Sequence, residues 1–196
     1  MKKYVLLLAL LAALAAGYAE TVDGYVVLHN NDTLYGVLKT RAPLFSKTSK
    51  LNTIELTDSA GNVAVYTPKD IKAYGYSDKS GQRIFRSKPT TRDTLLFLEL
   101  FAGGPNASVY QYDKSVGTGM SSTGVMMSAT EIFYTFERKD GAFVFLENFD
   151  GLVKIREKLL AFYGSSPQLR EFIDHRFTAR RHIQKDIKAV VAEVNK

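Results

Sequence analysis

The chain of 196 residues contains no cysteine and no tryptophan, five prolines and three histidines. The missing cysteines exclude thiol catalysis, zinc fingers, iron–sulfur clusters and any disulfide framework. They also exclude a lipid anchor carried on a cysteine. The histidines, His29, His175 and His182, are scattered, whereas a metal centre usually needs three or four converging ligands. No metal, cofactor or catalytic set is expected. The chain carries no Gly-x-Ser-x-Gly elbow and no phosphate-binding Gly-x-x-x-x-Gly-Lys. What it does have is 12% aromatic and 23% charged residues, the composition of a globular chain. Its length suits one domain, or one domain with an appendage.

The first nineteen residues read as a secretory leader. Lys2 and Lys3 are followed by an unbroken apolar run from Val5 to Ala16, and Gly17 and Ala19 place small residues before a cut. The run is short for a membrane-spanning helix, which needs about 20 residues. The expected chain is therefore exported to the periplasm or outer cell envelope and is not an integral membrane protein after leader cleavage. Loss of the leader lowers the net charge from +6 to +4.

Residues 20–149 are expected to form an antiparallel β-rich domain. Ten short β-rich runs fall into five hairpins: Gly24–His29 with Thr33–Lys39, Leu51–Thr57 with Val63–Thr67, Ile71–Tyr76 with Arg83–Ser87, Thr94–Phe101 with Ser108–Tyr112, and Ile132–Lys139 with Ala142–Asn148. Asn30-Asn31-Asp32, Asp58–Asn62, Asp78–Gly81, Gly103–Asn106 and Asp140-Gly141 supply the turn chemistry. Leu95–Leu98 with Leu100 and Phe101 is apolar on both faces and reads as the central strand. Sequential hairpins build a meander that closes as a roll, sandwich or partly open barrel, not the βαβ units of nucleotide-binding folds.

After Asn148 the apolar period changes from two to 3.6, so residues 150–196 read as two or three helices packed on the sheet. Asp150 is expected to cap a helix ending at Gly164, Ser165–Gln168 to start a second, and Thr178 to cap a third. The fold class is thus α+β.

The stretch Gly24-Tyr25-Val26-Val27 followed by Asn31-Asp32-Thr33-Leu34-Tyr35-Gly36-Val37-Leu38 resembles the opening of a group of exported proteins common in Bacteroidota. Their pattern is Gly-Tyr-Ile/Val, a short gap, then Gly-Asp-Thr-Ile-x-Gly-x-Ile, with Asn31 standing here in place of Gly. Tyr66–Lys72 with Gly75-Tyr76, and the segment from Phe162 to Ile173, resemble further pieces of that group. The resemblance implies an exported location and this fold, and carries over no catalytic residue. It also implies O-glycan acceptors at Asp32-Thr33-Leu34, Asp58-Ser59-Ala60 and Asp93-Thr94-Leu95. These triplets read equally as ordinary turn exits.

Two regions are candidate binding sites. Ser115–Ala129 is rich in Gly, Ser, Thr and Met and reads as a connector or binding loop through Ser115, Gly117, Gly119, Met120, Ser121, Ser122 and Gly124. The C-terminal helices carry seven Lys and Arg against four acids over residues 170–196. Arg176, Arg180, Arg181, Lys185 and Lys188 could therefore meet anionic lipid or glycan, although a solvated helix face accounts for the same pattern. Nucleic acid is not an expected partner for an exported chain. The expectation is a non-enzymatic binding or interaction module. Its rival is a hydrolase-like site using Ser121 or Ser122 with His29.

Overall fold

The computed structural model describes residues 21–39, 52–79, 81–90, 94–120, 126–147, 150–164 and 166–196, with backbone alone over 114–120 and 126–130. Ten strands occur in chain order: β1 (Thr21–Leu28), β2 (Thr33–Lys39), β3 (Ile54–Thr57), β4 (Val63–Tyr66), β5 (Ile71–Asp78), β6 (Gly81–Pro89), β7 (Leu95–Gly103), β8 (Ala107–Met120), β9 (Met126–Arg138) and β10 (Phe143–Leu146). Three α-helices follow: α1 (Leu152–Tyr163), α2 (Pro167–Asp174) and α3 (Ile183–Val194), the last preceded by a 3-10 turn over Arg180–His182. The fold is α+β, an open antiparallel sheet followed by helices.

All five expected hairpins form, and three close in the same way. Leu28 and Asp32, Asp58 and Asn62, and Arg138 and Ala142 are joined by a backbone N–H to carbonyl bond across three intervening residues. The third of those residues is left-handed: Asn31 (φ 75°), Gly61 (φ 84°) and Gly141 (φ 81°). This is a turn ending in a left-handed residue, so Asp140-Gly141 belongs to a three-residue loop and not to the two-residue turn its sequence implies.

Strand order is β10-β9-β8-β7-β6-β5-β1-β2-β3-β4. The meander is therefore broken once, where β5 pairs with β1, Val26 facing Tyr74 and Tyr25 facing Gly75. This placement forces curvature. On a flat sheet β4 and β5 would lie four strand spacings apart, roughly 19 Å. Yet Tyr66 and Ile71 are joined by only four residues, and those contain a β-turn closed by Asp70 N–H to Thr67 O at 3.0 Å. Such a linker reaches at most about 15 Å. The first strands curl, and their inner face buries Val26, Leu38, Ile54, Leu56, Ile71, Tyr74 and Phe97, with Tyr66 packed against them. Tyr74 stacks on Phe85 at 4.6 Å and meets Phe97 edge-on at 5.0 Å, so these strand aromatics are core. As expected, β7 is an interior strand, and its Phe97 and Leu98 are fully buried on opposite faces.

The helices cover the same sheet face further along. Val109, Phe136 and Leu146 pack with Ile155, Leu159, Ile173, Ile187 and Val190. Their ends differ in part from expectation. Gly164 stops α1 as expected, its N–H reaching Leu160 O at 2.8 Å. A Cβ there would stand 2.3 Å from that oxygen, so the close approach requires glycine. Asp150 makes no cap bond to α1, whose N-cap is Gly151. Its buried carboxylate instead accepts from Glu147 N–H and from Lys154 and Lys158. Ser166 caps α2 through Leu169 N–H at 3.1 Å. Thr178 is replaced by a different device, in which the buried Asp186 accepts from Phe177 N–H at 3.0 Å. Asn195, just beyond α3, bonds to both the N–H and the carbonyl of Ala107, each at 3.0 Å. Among the described residues no helix is long and apolar enough to cross a membrane.

Candidate functional site

The expected binding loop is strand over much of its length. Ser115, Gly117, Gly119 and Met120 lie in β8 and pair toward β9, with Ser115 facing Thr130 and Met120 facing Met126. Composition misled here because Gly, Ser and Thr read as loop, while the long cross-strand ladder, with one irregularity near Val116, overrides weak strand propensity. Ser121, Ser122 and Gly124 lie outside the described residues. His29, their proposed partner, bonds through Nε2 to Lys69 O at 2.8 Å.

The basic tail is partly spent on packing. Arg176 lies 3.8 Å from Asp186 and 4.4 Å over the Phe172 ring. Lys188 sits 4.4 Å over Phe101. Arg180, Arg181 and Lys185 are exposed. Among the described residues no three His, Asp or Glu side chains converge on a common point where a metal could sit.

The structure brings other cations together on the outer face of the sheet, opposite the curled core. Cross-strand register places Val27, Ala73 and Arg86 in one row, and Tyr25, Gly75 and Ile84 in the next. All of these but Gly75 line a cleft of about 880 Å³. Lys69, Lys72, Arg86 and Lys88 stand around it, together with His29 and Asn31, and among the described residues no carboxylate lines it. A volume near this size suits a small-molecule ligand.

Each cation is positioned differently. Lys72 Nζ donates to Asn31 Oδ1 at 2.7 Å, so the left-handed turn residue also orients a lysine. Lys69 projects from the tight turn between β4 and β5. That turn is fixed by Asp70, whose carboxylate accepts from both the N–H and hydroxyl of Thr67 at 2.7 Å. These bonds lower the Asp70 pKa against an opposing effect of burial, and the nearby charges of His29 and Lys69 lower it further by less. Lys88 is held by Glu137 at 2.6 Å and lies over the Tyr110 ring at 5.1 Å. Arg86 approaches the Tyr110 hydroxyl at 3.5 Å, the limit of a hydrogen bond. That hydroxyl donates to Glu137 at 2.7 Å. Burial first, and then this bond and charge, push the Tyr110 pKa up to about 12, so it stays a donor at any physiological pH.

One charge of the four is therefore neutralised, by Glu137. Among the described residues Lys69, Lys72 and Arg86 make no ion pair. Lys72 and Arg86, with Lys69 beside the Asp70 carboxylate, form an anion-attracting hollow over an apolar floor, whose low-dielectric walls strengthen the field. Sequence reasoning missed it because each cation comes from a different turn or strand position. The available signal was alternation: Lys72, Arg86 and Lys88 all flank buried or half-buried positions of β5 and β6. No protein family, curated protein or solved structure matches this chain.

Proposed function

We propose that the chain is an exported cell-envelope binding module, without enzymatic activity, whose outer-face cleft holds an anionic ligand. The observation that carries this reading is the convergence of Lys69, Lys72 and Arg86, without carboxylate partners among the described residues, over the Val27–Ala73–Ile84 floor. Export rests on the charged, apolar and small-residue regions of the leader. The anion is recognised by charge and by the geometry of Arg86, whose planar guanidinium can grip a carboxylate or phosphate with two parallel bonds.

Calorimetric titration with glucuronate and inorganic phosphate tests the reading. Saturable binding that weakens with salt and falls at least tenfold in Arg86→Ala is the expected result. Binding unaffected by Arg86→Ala and Lys72→Ala together, or no binding of any anion, contradicts it. Fractionation of cells expressing the full chain tests export, with mature protein lacking the leader expected in the envelope fraction.

A further inference from the structure

The cleft does not end at its apolar floor. Tyr25 lines it on one side and lines a second hollow, of about 520 Å³, on the other. Tyr25 pairs with Gly75 across β1 and β5. Its phenol lies directly over that glycine, where a Cβ would stand 2.6 Å from Oη and 2.7 Å from Cζ. The absence of a side chain at Gly75 thus seats the ring on the sheet as a ridge between two concavities. Tyr35 lies beside it, with ring centroids 6.1 Å apart, and is 73% exposed.

The two hollows differ in chemistry. The cleft is cationic. The second hollow carries Asp23 with the neutral hydrogen-bonding groups of Ser77 and Gln82, and Asp58, whose carboxylate also accepts from Ala60 N–H and from Asn62; among the described residues no lysine or arginine lines it. Carboxylates and amides beside an exposed aromatic ring suit the many hydroxyls and the apolar ring face of a sugar. A uniformly charged polyanion would be repelled by Asp23 and Asp58. A lipid's acyl chain would find a largely apolar surface there but would have to run past the carboxylates of Asp23 and Asp58.

Resting on the anion-binding reading above, we propose that the two hollows together hold one glycan. Its acidic terminal sugar lies between Lys72 and Arg86, and its next, neutral sugar crosses Tyr25 toward Asp23. The ligand class is an oligosaccharide with a single carboxylated or phosphorylated end.

The test is calorimetric titration of the purified protein with sialyllactose and with an aldouronic acid built on xylose. Each is measured against its neutral parent, lactose or xylotriose, and against inorganic phosphate and phosphatidylglycerol vesicles. The expected result is that an acidic oligosaccharide binds at least tenfold more tightly than both its neutral parent and free phosphate. Tyr25→Leu keeps apolar bulk over Gly75 but removes the aromatic face, and should weaken the oligosaccharide roughly three- to tenfold more than it weakens phosphate. Gly75→Ala, which displaces the phenol, should do the same; Tyr25→Phe should retain binding. Equal affinity for phosphate and acidic oligosaccharide, or oligosaccharide binding indifferent to Tyr25→Leu and Gly75→Ala, overturns the glycan inference and leaves the anion cleft standing. Vesicle binding lost in Arg86→Ala and unchanged in Tyr25→Leu overturns it in favour of a lipid headgroup. No binding of any anion ends both.

Discussion

Lys88 and Glu137 meet at 2.6 Å although three strand spacings separate β6 from β9. Lys88 faces Leu96 on β7, and Glu137 faces Ser108, which faces Gly103. On a flat sheet the two would stand more than about 20 Å apart. The sheet is therefore coiled toward its outer face here, having curled toward its inner face at β1–β5. Both side chains are about four-fifths buried, and Glu137 also accepts from Tyr110. Glu137→Ala strands a lysine and a phenol and should cost about 2–4 kcal/mol in urea unfolding. Lys88→Met with Glu137→Leu should cost less than Glu137→Ala, because neither charge is left buried alone.

Asn195 ties the end of α3 to the first residue of β8 by accepting from Ala107 N–H and donating to Ala107 O. It also accepts from Asn106 N–H at 2.7 Å. Asn195→Ala should destabilise by about 1–3 kcal/mol. Hydrogen exchange should quicken at the β7–β8 turn and along α3 before it changes in β1–β5.

The hairpins were legible because turn chemistry is local: Asn30-Asn31-Asp32 and Asp140-Gly141 announce chain reversal whatever surrounds them. The β1–β5 pairing was not legible. It joins strands some fifty residues apart, and nothing in either strand names its partner. The site lies on that junction, since Val27 and Tyr25 come from β1, Lys72 and Ala73 from β5, and Ile84 and Arg86 from β6. A cationic cleft assembled from the β4–β5 turn, β5 and β6 leaves no charge run in the sequence, whereas the C-terminal basic run that is visible there is partly committed to Asp186, Phe172 and Phe101.

Close backbone approach should make Gly36 intolerant of a side chain. A Cβ at Gly36 would lie 2.2 Å from Thr57 O on the neighbouring strand. That oxygen belongs to backbone and cannot swing aside. Gly36→Ala should therefore destabilise by about 1–3 kcal/mol. Gly75→Ala, whose nearest neighbour is the movable Tyr25 phenol, should cost less in the same thermal melt.

Acid should unfold the helical end through Asp150. Burial raises its pKa, but the hydrogen bonds from Lys154, Lys158 and Glu147 N–H outweigh that and leave it lowered in the folded state. A group depressed on folding contributes stability that is fully present above its unfolded pKa, about 4, and is lost as pH falls through the folded value. Stability should thus be insensitive to this group above about pH 5 and decline below about pH 4. Asp150→Asn should be less stable at neutral pH and show a shallower acid decline in urea midpoints.

The central claim is that an anion sits in the cleft between β1, β5 and β6. The most direct measurement is amide NMR of the protein titrated with glucuronate. Saturable shifts are expected at Val27, Lys72, Ala73 and Arg86, and should disappear in Arg86→Ala. Shifts confined to Arg180, Arg181 and Lys185 on the C-terminal helices, with the cleft residues unmoved, would contradict it.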